Sequence, residues 1–231
     1  MKQNIQKAKP CVIPADVFRR IYLYTIIGEF DNGVYGAKRL QKTAYISERD
    51  KGIVKPFTYK KHLFGQYSEH LDEIKEQLIS LGFVKASPLD TATKLTITVH
   101  DKTYEGVLGG NRYTISDRDI FRKCESIVLV SQPELMKSTK KAIDQYGYKK
   151  EQELINCCYD FEEFKDKKEE DIIFESNLPE WVEMPELSDD ECDELILSFT
   201  PSFMGFVNKI TEGLERTTID WGKVGKVVLR I

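Results

Sequence analysis

The sequence predicts an α+β fold that is mostly helical, with a winged-helix-like N-terminal domain. Two observations lead to this prediction. Apolar residues recur at helical spacing in several stretches that turn signals separate. Residues 94–99 instead alternate apolar and polar side chains, as a half-buried strand does. The resulting order is three helices followed by a β-hairpin, which is the order of a winged helix-turn-helix with a hairpin wing.

The clearest helix lies within residues 64–84. Ser68 is a good N-cap, because its hydroxyl oxygen can accept a hydrogen bond from a free backbone N–H of the first turn. Gly82 suits the end of the helix, since glycine adopts the left-handed conformation without strain. The apolar residues between them recur at helical spacing and predict one buried stripe, formed by Leu71, Ile74, Leu78 and Leu81.

The other elements of the front part follow from similar signals. Helices are predicted from Pro14 to about Glu29 and from about Gly36 to Asp50, with a loop or short helical turn over 53–63. Thr103–Leu108 is the partner of the strand at 94–99, and 112–115 forms a further short strand. Ser116 or Asp117 then caps a helix that runs to about Val130.

The chain divides into four predicted parts. Residues 1–131 form the winged-helix-like domain, and 132–165 form a helical hairpin that packs on it. Residues 166–186 are charge-rich and indicate a linker, while 187–231 form a small acidic helical module. This module opens with a capping box at Ser188–Glu191. A second helix is predicted after Thr200, with a docking peptide or strand at the C-terminal end.

Charge is distributed unevenly along the 231 residues. Residues 1–150 carry 26 Lys and Arg against 17 Asp and Glu, a net charge of +9, and residues 151–231 carry 8 against 21, a net charge of −13. Such a split fits a nucleic-acid surface followed by an acidic interaction segment, two modules that attract one another, or solvated faces without a partner. The sequence leaves these three readings open.

Composition and cysteine usage indicate a location. No apolar run approaches the ~20 residues that cross a bilayer, and the N-terminus lacks the apolar core of a signal peptide. The five cysteines form no C-x-x-C motif, and their odd number argues against a disulfide framework. We therefore predict a cytoplasmic protein without a membrane partner.

No catalytic or metal-binding pattern stands out. The sequence contains no P-loop, G-x-G-x-x-G or G-x-S-x-G motif, and its three histidines have no zinc-ligand spacing. We predict a protein that is not an enzyme and needs no cofactor. The polar aromatic cluster of Tyr45, Tyr59, His62 and Tyr67 is the sole support for an enzyme, and these rings fit better as a cover over a helix junction.

Basic and aromatic side chains supply the candidate contacts. The candidates for nucleic acid or another partner are Lys38, Arg39, Lys42, Lys60, Lys61 and Arg112, since basic groups near a helix-turn-helix hold phosphates. The outer residues of the third helix are mostly acidic and would repel a phosphate backbone. The candidates for protein contact are Tyr45, Tyr67, Trp181, Phe203, Phe206 and Trp221.

The front part of the chain contains four short motifs: Leu40-Gln41-Lys42-x-x-Tyr45, Phe64-Gly65-x-Tyr67-Ser68-x-x-Leu71, Leu78-x-x-Leu81-Gly82-Phe83-Val84 and Tyr113-Thr114-Ile115-Ser116. Together these motifs resemble the Panacea (SocA-like) antitoxin domain and the related YwgA-type proteins. The resemblance covers about residues 15–160. Gln66 stands where the family usually has proline, and the acidic C-terminal module lies outside the shared domain.

The resemblance implies a protein that neutralises a toxin, or serves as an adaptor, through protein contact. We therefore predict a non-enzymatic interaction protein of antitoxin or adaptor type. The alternative is a winged-helix DNA-binding transcriptional regulator that uses the basic N-terminal half. Neither the residues nor the resemblance names the partner or the oligomeric state.

Overall fold

The computed structural model describes residues 11–63, 65–89, 93–99, 102–108, 110–185 and 187–201. Over these ranges the chain adopts an α+β fold that is mostly helical, as predicted. The helices are α1 (Ala15–Glu29), α2 (Ala37–Glu48), α3 (Glu69–Ser80), α4 (Arg118–Ser131), α5 (Pro133–Ala142), α6 (Glu151–Tyr159), α7 (Glu162–Lys165) and α8 (Asp189–Ser198). A π-helical turn, Ile143–Gly147, extends α5.

Small antiparallel sheets surround the helices. The strands are β1 (Cys11–Pro14), β2 (Val34–Tyr35), β3 (Tyr59–His62), β4 (Gly65–Tyr67), β5 (Val84–Pro88), β6 (Thr93–Val99), β7 (Lys102–Leu108), β8 (Asn111–Ile115), β9 (Ile172–Phe174) and β10 (Trp181–Met184). They pair in the orders β1-β10, β2-β8-β5, β4-β3-β9 and β6-β7. Strand β3 lies where a loop or a turn of helix was predicted. The strand was not predicted because the two basic residues at its centre hide the alternation of apolar and polar side chains.

Helix α3 forms as the sequence predicted. Ser68 Oγ accepts a hydrogen bond from the backbone N–H of Leu71 at 3.3 Å, and Gly82 ends the helix with a φ of +78°. The whole predicted apolar stripe is buried: Leu71, Ile74, Leu78 and Leu81. Because the cap, the stripe and the stop all agree, this helix needed no tertiary information to be recognised.

The three-stranded sheet lies directly after α3. Strand β5 pairs with β8 from Val84 opposite Ile115 to Pro88 opposite Asn111, and β2 adds to the other side of β8. The predicted hairpin, β6 with β7, is inserted between β5 and β8. The turn at its tip lies outside the described residues.

Helix α1 is the centre of the core. Its residues from Val17 to Gly28 are buried on all sides except at Arg19, and it packs against α2, α3 and α4. A Cβ added at Gly28 would lie 2.1 Å from the ring of Phe121 on α4. Glycine is therefore required at this position for α1 and α4 to approach so closely.

The segment predicted as a linker, 166–186, contributes two strands. Strand β9 pairs with β3, and β10 pairs with β1 near the start of the described chain. Along β10 exposed and buried side chains alternate: Trp181 and Glu183 are exposed, and Val182 and Met184 are buried. This alternation is the strand signal that the charged surroundings obscure.

Helix α8, the first helix of the predicted acidic module, packs against β1. The predicted capping box is present, since Ser188 Oγ accepts from the backbone N–H of Glu191 while the carboxylate of Glu191 accepts from the backbone N–H of Ser188. Phe199 then stacks on Phe83, with ring centroids 4.3 Å apart. The predicted helix beyond Pro201 and the predicted terminal peptide lie outside the described residues.

Candidate interaction surface

The predicted cations of α2 are used inside the protein. Lys42 is buried, which corrects its assignment as a contact for nucleic acid or another partner, and its Nζ donates a hydrogen bond to Gln66 O at 2.7 Å. Burial lowers the pKa of Lys42 to about 8. The physical reason is that α2 packs against α1 on one side and against β4 and α6 on others. Helical periodicity alone does not reveal that the second face is also covered.

Arg39 and Lys38 hold α2 to the start of α6 and to the residues just before it. The guanidinium of Arg39 donates hydrogen bonds to the carbonyl oxygens of Gly147 and Lys149, the second at 2.8 Å. Burial lowers the pKa of Arg39. Lys38 Nζ lies 3.6 Å from a carboxylate oxygen of Glu151. Both predicted contacts therefore already have polar partners within the chain.

The remaining predicted cations lie closer to solvent. Lys61 Nζ donates to Lys167 O at 2.6 Å and lies 4.4 Å from the centroid of the Phe164 ring. Arg112 donates from Nε to Asn32 O. Lys60 Nζ has only longer contacts, with carboxylate oxygens of acidic residues 3.6 and 3.9 Å away. Of the six predicted cations, Lys60 is the one most able to reach an external anion.

The solvent face of α3 is acidic, as the sequence predicted. Glu69, Glu73 and Glu76 are exposed. The ammonium of Lys75 is held by two carboxylates, at 2.7 Å from Asp72 and 2.9 Å from Glu76. This face therefore repels a phosphate backbone, because its charge is negative wherever it meets solvent.

The predicted aromatic contacts fall into different environments. Tyr45 is fully buried, which corrects its assignment as a partner contact, and its hydroxyl donates to Glu163 Oε1 at 2.7 Å. Tyr67 is half-buried, with its ring 5.4 Å from that of His62. The predicted contacts Phe203, Phe206 and Trp221 lie outside the described residues.

The cluster considered for an enzyme is divided by the fold. Tyr45 and Tyr59 pack edge to face in the core, with centroids 5.3 Å apart. His62 lies on the surface beside Tyr67. The hydroxyls of the buried tyrosines are directed at carboxylates, Glu163 for Tyr45 and Glu48 for Tyr59. These contacts tie α2 to its neighbours and leave no cleft on which all four side chains converge.

Among the predicted contacts that the structure describes, Trp181 is the most exposed. It lies on the β1–β10 ribbon, the two-stranded sheet formed by β1 and β10, where it pairs with Pro14. Its side chain is 52% exposed, and Val12, two residues from Pro14 on the same face, is 39% exposed. Side chains alternate between the two faces of a strand, so Val12 and Trp181 share the outer face of the ribbon.

The ribbon is fixed firmly to the body of the protein. Ile13 and Val182 are paired and buried on its inner face. Cys11 forms a disulfide with Cys192 of α8, with Cα atoms 6.6 Å apart. This corrects the expectation of no disulfide. The odd number of cysteines hid the pair, because the two residues are 181 positions apart and only the fold brings β1 beside α8.

A groove runs between α4 and α8. We call it the α4–α8 groove; its volume is about 770 Å³. Its apolar lining includes Phe83, Ile120, Ile127, Leu187, Leu195 and Leu197. A smaller cavity of about 190 Å³ adjoins it and shares Ser126, Ile127 and Leu187. No local pattern in the sequence predicts this groove, because its walls come from elements that are distant in the chain.

Comparison with known protein families, with curated proteins and with solved structures gives no match. Across the ranges that the structure describes, no helix has both the length and the apolar character needed to cross a membrane. The same ranges hold no group of three or more His, Cys, Asp or Glu side chains arranged to bind a metal ion.

Proposed function

We propose that this protein is a non-enzymatic interaction protein of antitoxin or adaptor type, which acts through contact with a partner protein. One observation carries the proposal: a tryptophan, Trp181, stands half-exposed beside Val12 on a ribbon whose buried inner face, with Ile13 and Val182, holds it in place. Tryptophan is enriched among the residues that dominate binding energy at protein interfaces. A rigid support reduces the entropy lost on binding.

The chemistry of the rest of the surface supports a protein partner. The α2 cations have partners inside the chain, and the outer face of α3 is acidic. Glu183 lies exposed next to Trp181 on the outer face of the ribbon. The partner surface that fits is an apolar pocket for the indole with basic residues at its rim. The resemblance to the Panacea domain supports an antitoxin role, with a toxin as the partner.

The experiment compares two substitutions in co-purification from the native cell. Trp181→Ala should reduce recovery of the partner at least tenfold. Leu129→Ala is the matched control, because Leu129 is 50% exposed on α4 and is not part of the ribbon. It should leave recovery unchanged. Recovery of the protein alone at low salt, or equal recovery by both variants, would rule out this surface.

A cytoplasmic location is part of the proposal, and the Cys11–Cys192 pair supplies its test. A reducing compartment keeps cysteines as thiols, whereas disulfides persist in oxidising ones. Rapid alkylation of the protein in intact cells, followed by mass spectrometry, distinguishes the two forms. Alkylation of Cys11 and Cys192 is the outcome expected for a cytoplasmic protein, and their protection as a disulfide would point to an oxidising compartment.

DNA binding is the second candidate, and one observation favours it. The strand order β2-β8-β5, with α2 and α3 between β2 and β5, is the order expected of a winged helix. On this hypothesis affinity for duplex DNA should fall steeply as salt rises, because bound phosphates release counterions. Lys60→Glu should then weaken binding. Absence of binding to duplex DNA at low salt would eliminate the hypothesis.

A further inference from the structure

The α4–α8 groove is an apolar surface whose walls come from two helices. Phe83, Ile120, Ile127 and Leu195 give it an apolar lining, and Leu197 on its α8 wall is 45% exposed. An apolar groove of this size is typical of a surface that another segment of polypeptide covers. We propose that the occupant is the chain's own C-terminal segment, residues 202–231. This inference is independent of the Trp181 surface.

The position of the chain exit supports this occupant. Phe199 itself lines the groove, and the described residues end two positions later at Pro201. The exit is held in place, because Phe199 stacks on Phe83 and its carbonyl oxygen accepts a hydrogen bond from Arg20 Nη1 at 3.0 Å. The last described residues therefore lead away from the wall of the groove itself.

The composition of the segment matches the groove. Its apolar residues Phe203, Val207, Ile210 and Leu214 recur at helical spacing, which predicts a single apolar face. The polar groups at the groove are acidic in balance, with the carboxylates of Asp117, Glu191 and Glu194 against the ammonium of Lys123. Residues 202–231 carry five Lys and Arg against three Asp and Glu, a net charge of +2.

Length and tethering favour this segment over other occupants. The 14 residues of α4 span about 21 Å at 1.5 Å per residue. The 12 residues from Phe203 to Leu214 would span about 18 Å in the same conformation. A segment tethered at the mouth of the groove has an effective concentration in the ~mM range. A second copy of the chain or a separate protein would have to exceed that concentration to compete.

Hydrogen–deuterium exchange of the full chain tests the proposal. Amides of residues 203–214 should exchange at least tenfold more slowly than in a synthetic peptide of the same sequence. Leu197→Lys should remove this protection, because it places a charge on the apolar wall. Leu129→Lys is the matched control and should preserve it. Amides of α1 report in both variants that the core is intact.

A second pair of substitutions tests the charge match. Glu194→Lys reverses a charge at the groove, whereas Asp193→Lys reverses one on the same helix that does not line it. The amide exchange rate of residues 202–231, the segment that carries the net charge of +2, should rise at least threefold more in the first variant than in the second.

Three results would overturn the proposal. One is exchange of 203–214 at the peptide rate in the unsubstituted chain. Another is protection that Leu197→Lys leaves unchanged, which would place the segment elsewhere. The last is protection that falls on dilution of the protein, which would identify the groove of a second copy as the docking site. Trp181 plays no part in any of these measurements. Their outcome is therefore independent of whether the protein captures a partner through Trp181.

Discussion

The side-chain amide of Gln41 forms two hydrogen bonds with the backbone of Ser68. Its Nε2 donates to Ser68 O at 2.9 Å, and the backbone N–H of Ser68 donates to Oε1 at 3.0 Å. Both residues are buried. Since Ser68 also caps α3, one side chain of α2 sets the position at which α3 begins. The ammonium of the neighbouring Lys42 donates one hydrogen bond to Gln66 O. Consecutive residues of α2 therefore hold β4 and the start of α3.

Replacement of Gln41 by leucine should destabilise the protein strongly. The substitution leaves the buried N–H of Ser68 without its partner, which costs about 1–3 kcal/mol. It also removes one of the two hydrogen bonds that Ser68 O accepts, worth about 1 kcal/mol, while the bond from the backbone N–H of Asp72 remains. We expect the free energy of unfolding, measured by urea denaturation, to fall by about 2–4 kcal/mol. Gln145→Leu, at an exposed position, is the control and should change it little. Equal effects of the two substitutions would contradict this role.

Because of Lys42, the free energy of unfolding should increase with pH in mildly alkaline solution. Its pKa is about 8 in the folded protein and about 10.4 when unfolded. Between these values the unfolded chain binds more protons, so the free energy of unfolding increases with pH there. Well below pH 8 the buried side chain of Lys42 is charged in the folded protein. The free-energy cost of burying that charge then lowers stability in full.

Urea denaturation at pH 7 and pH 10 of the natural chain and of Lys42→Met checks this expectation. The stability of the natural chain relative to the variant should increase by about 2–3 kcal/mol over that interval. Lys141→Met, at an exposed lysine, should show no such increase. A difference independent of pH would mean that Lys42 is solvated.

Glu163 should contribute stability that acid removes. Burial alone would raise the pKa of its carboxyl, but hydrogen bonds from Arg49 and Tyr45 outweigh burial and lower the pKa to about 2. The unfolded value is about 4.3. The contribution is therefore complete above the unfolded value and is lost as the pH falls through the folded one.

The test substitutes the neutral amide. At pH 7 Glu163→Gln should lower the free energy of unfolding by about 1.5–3 kcal/mol, the range for hydrogen bonds to a charged group. At pH 2 the difference from the natural chain should be much smaller. Glu162→Gln, at the adjacent exposed position, is the control. A loss of the same size at both pH values would show that the charge of Glu163 is not involved.

The Cys11–Cys192 disulfide should stabilise α8 in particular. Cys192 is the one buried residue among those of α8, and the bridge closes a loop of 181 residues. We expect a reducing agent, or Cys192→Ser, to lower the free energy of unfolding by about 2–4 kcal/mol. Amide exchange should rise first in α8. Cys157→Ser changes a free cysteine and should have little effect, whereas insensitivity to reductant would show that the pair contributes nothing.

Local signals predicted the elements whose physics is local. The cap at Ser68 and the capping box at Ser188 lie within one turn of the backbone groups they serve, and the apolar stripe of α3 repeats within a single helix. The sequence alone therefore reveals all three. The motif that contains Gln41 and the one that contains Ser68 were separate features of the sequence. The structure places them in direct contact.

Long-range relationships were missed for one physical reason. The burial of Lys42, the pairing of β10 with β1 and the disulfide all depend on which elements become neighbours. A basic residue at helical spacing usually indicates a solvent-exposed helix face. Nothing near Lys42 in the chain indicates that β4 and α6 cover it. Trp181, a predicted contact that the described part of the chain shows to be exposed, lies on a strand within the segment that was predicted as a linker.

The hairpin β6–β7 leaves the sheet at Pro88 and returns at Asn111, and these two residues pair with each other. The hydrogen bond from the backbone N–H of Leu89 to Gly110 O, at 3.0 Å, continues the same ladder. An excursion whose two ends meet in this way is modular. A two-residue Asn-Gly turn could replace it, or a reporter domain could be grafted in its place, without altering the register of the strands on either side.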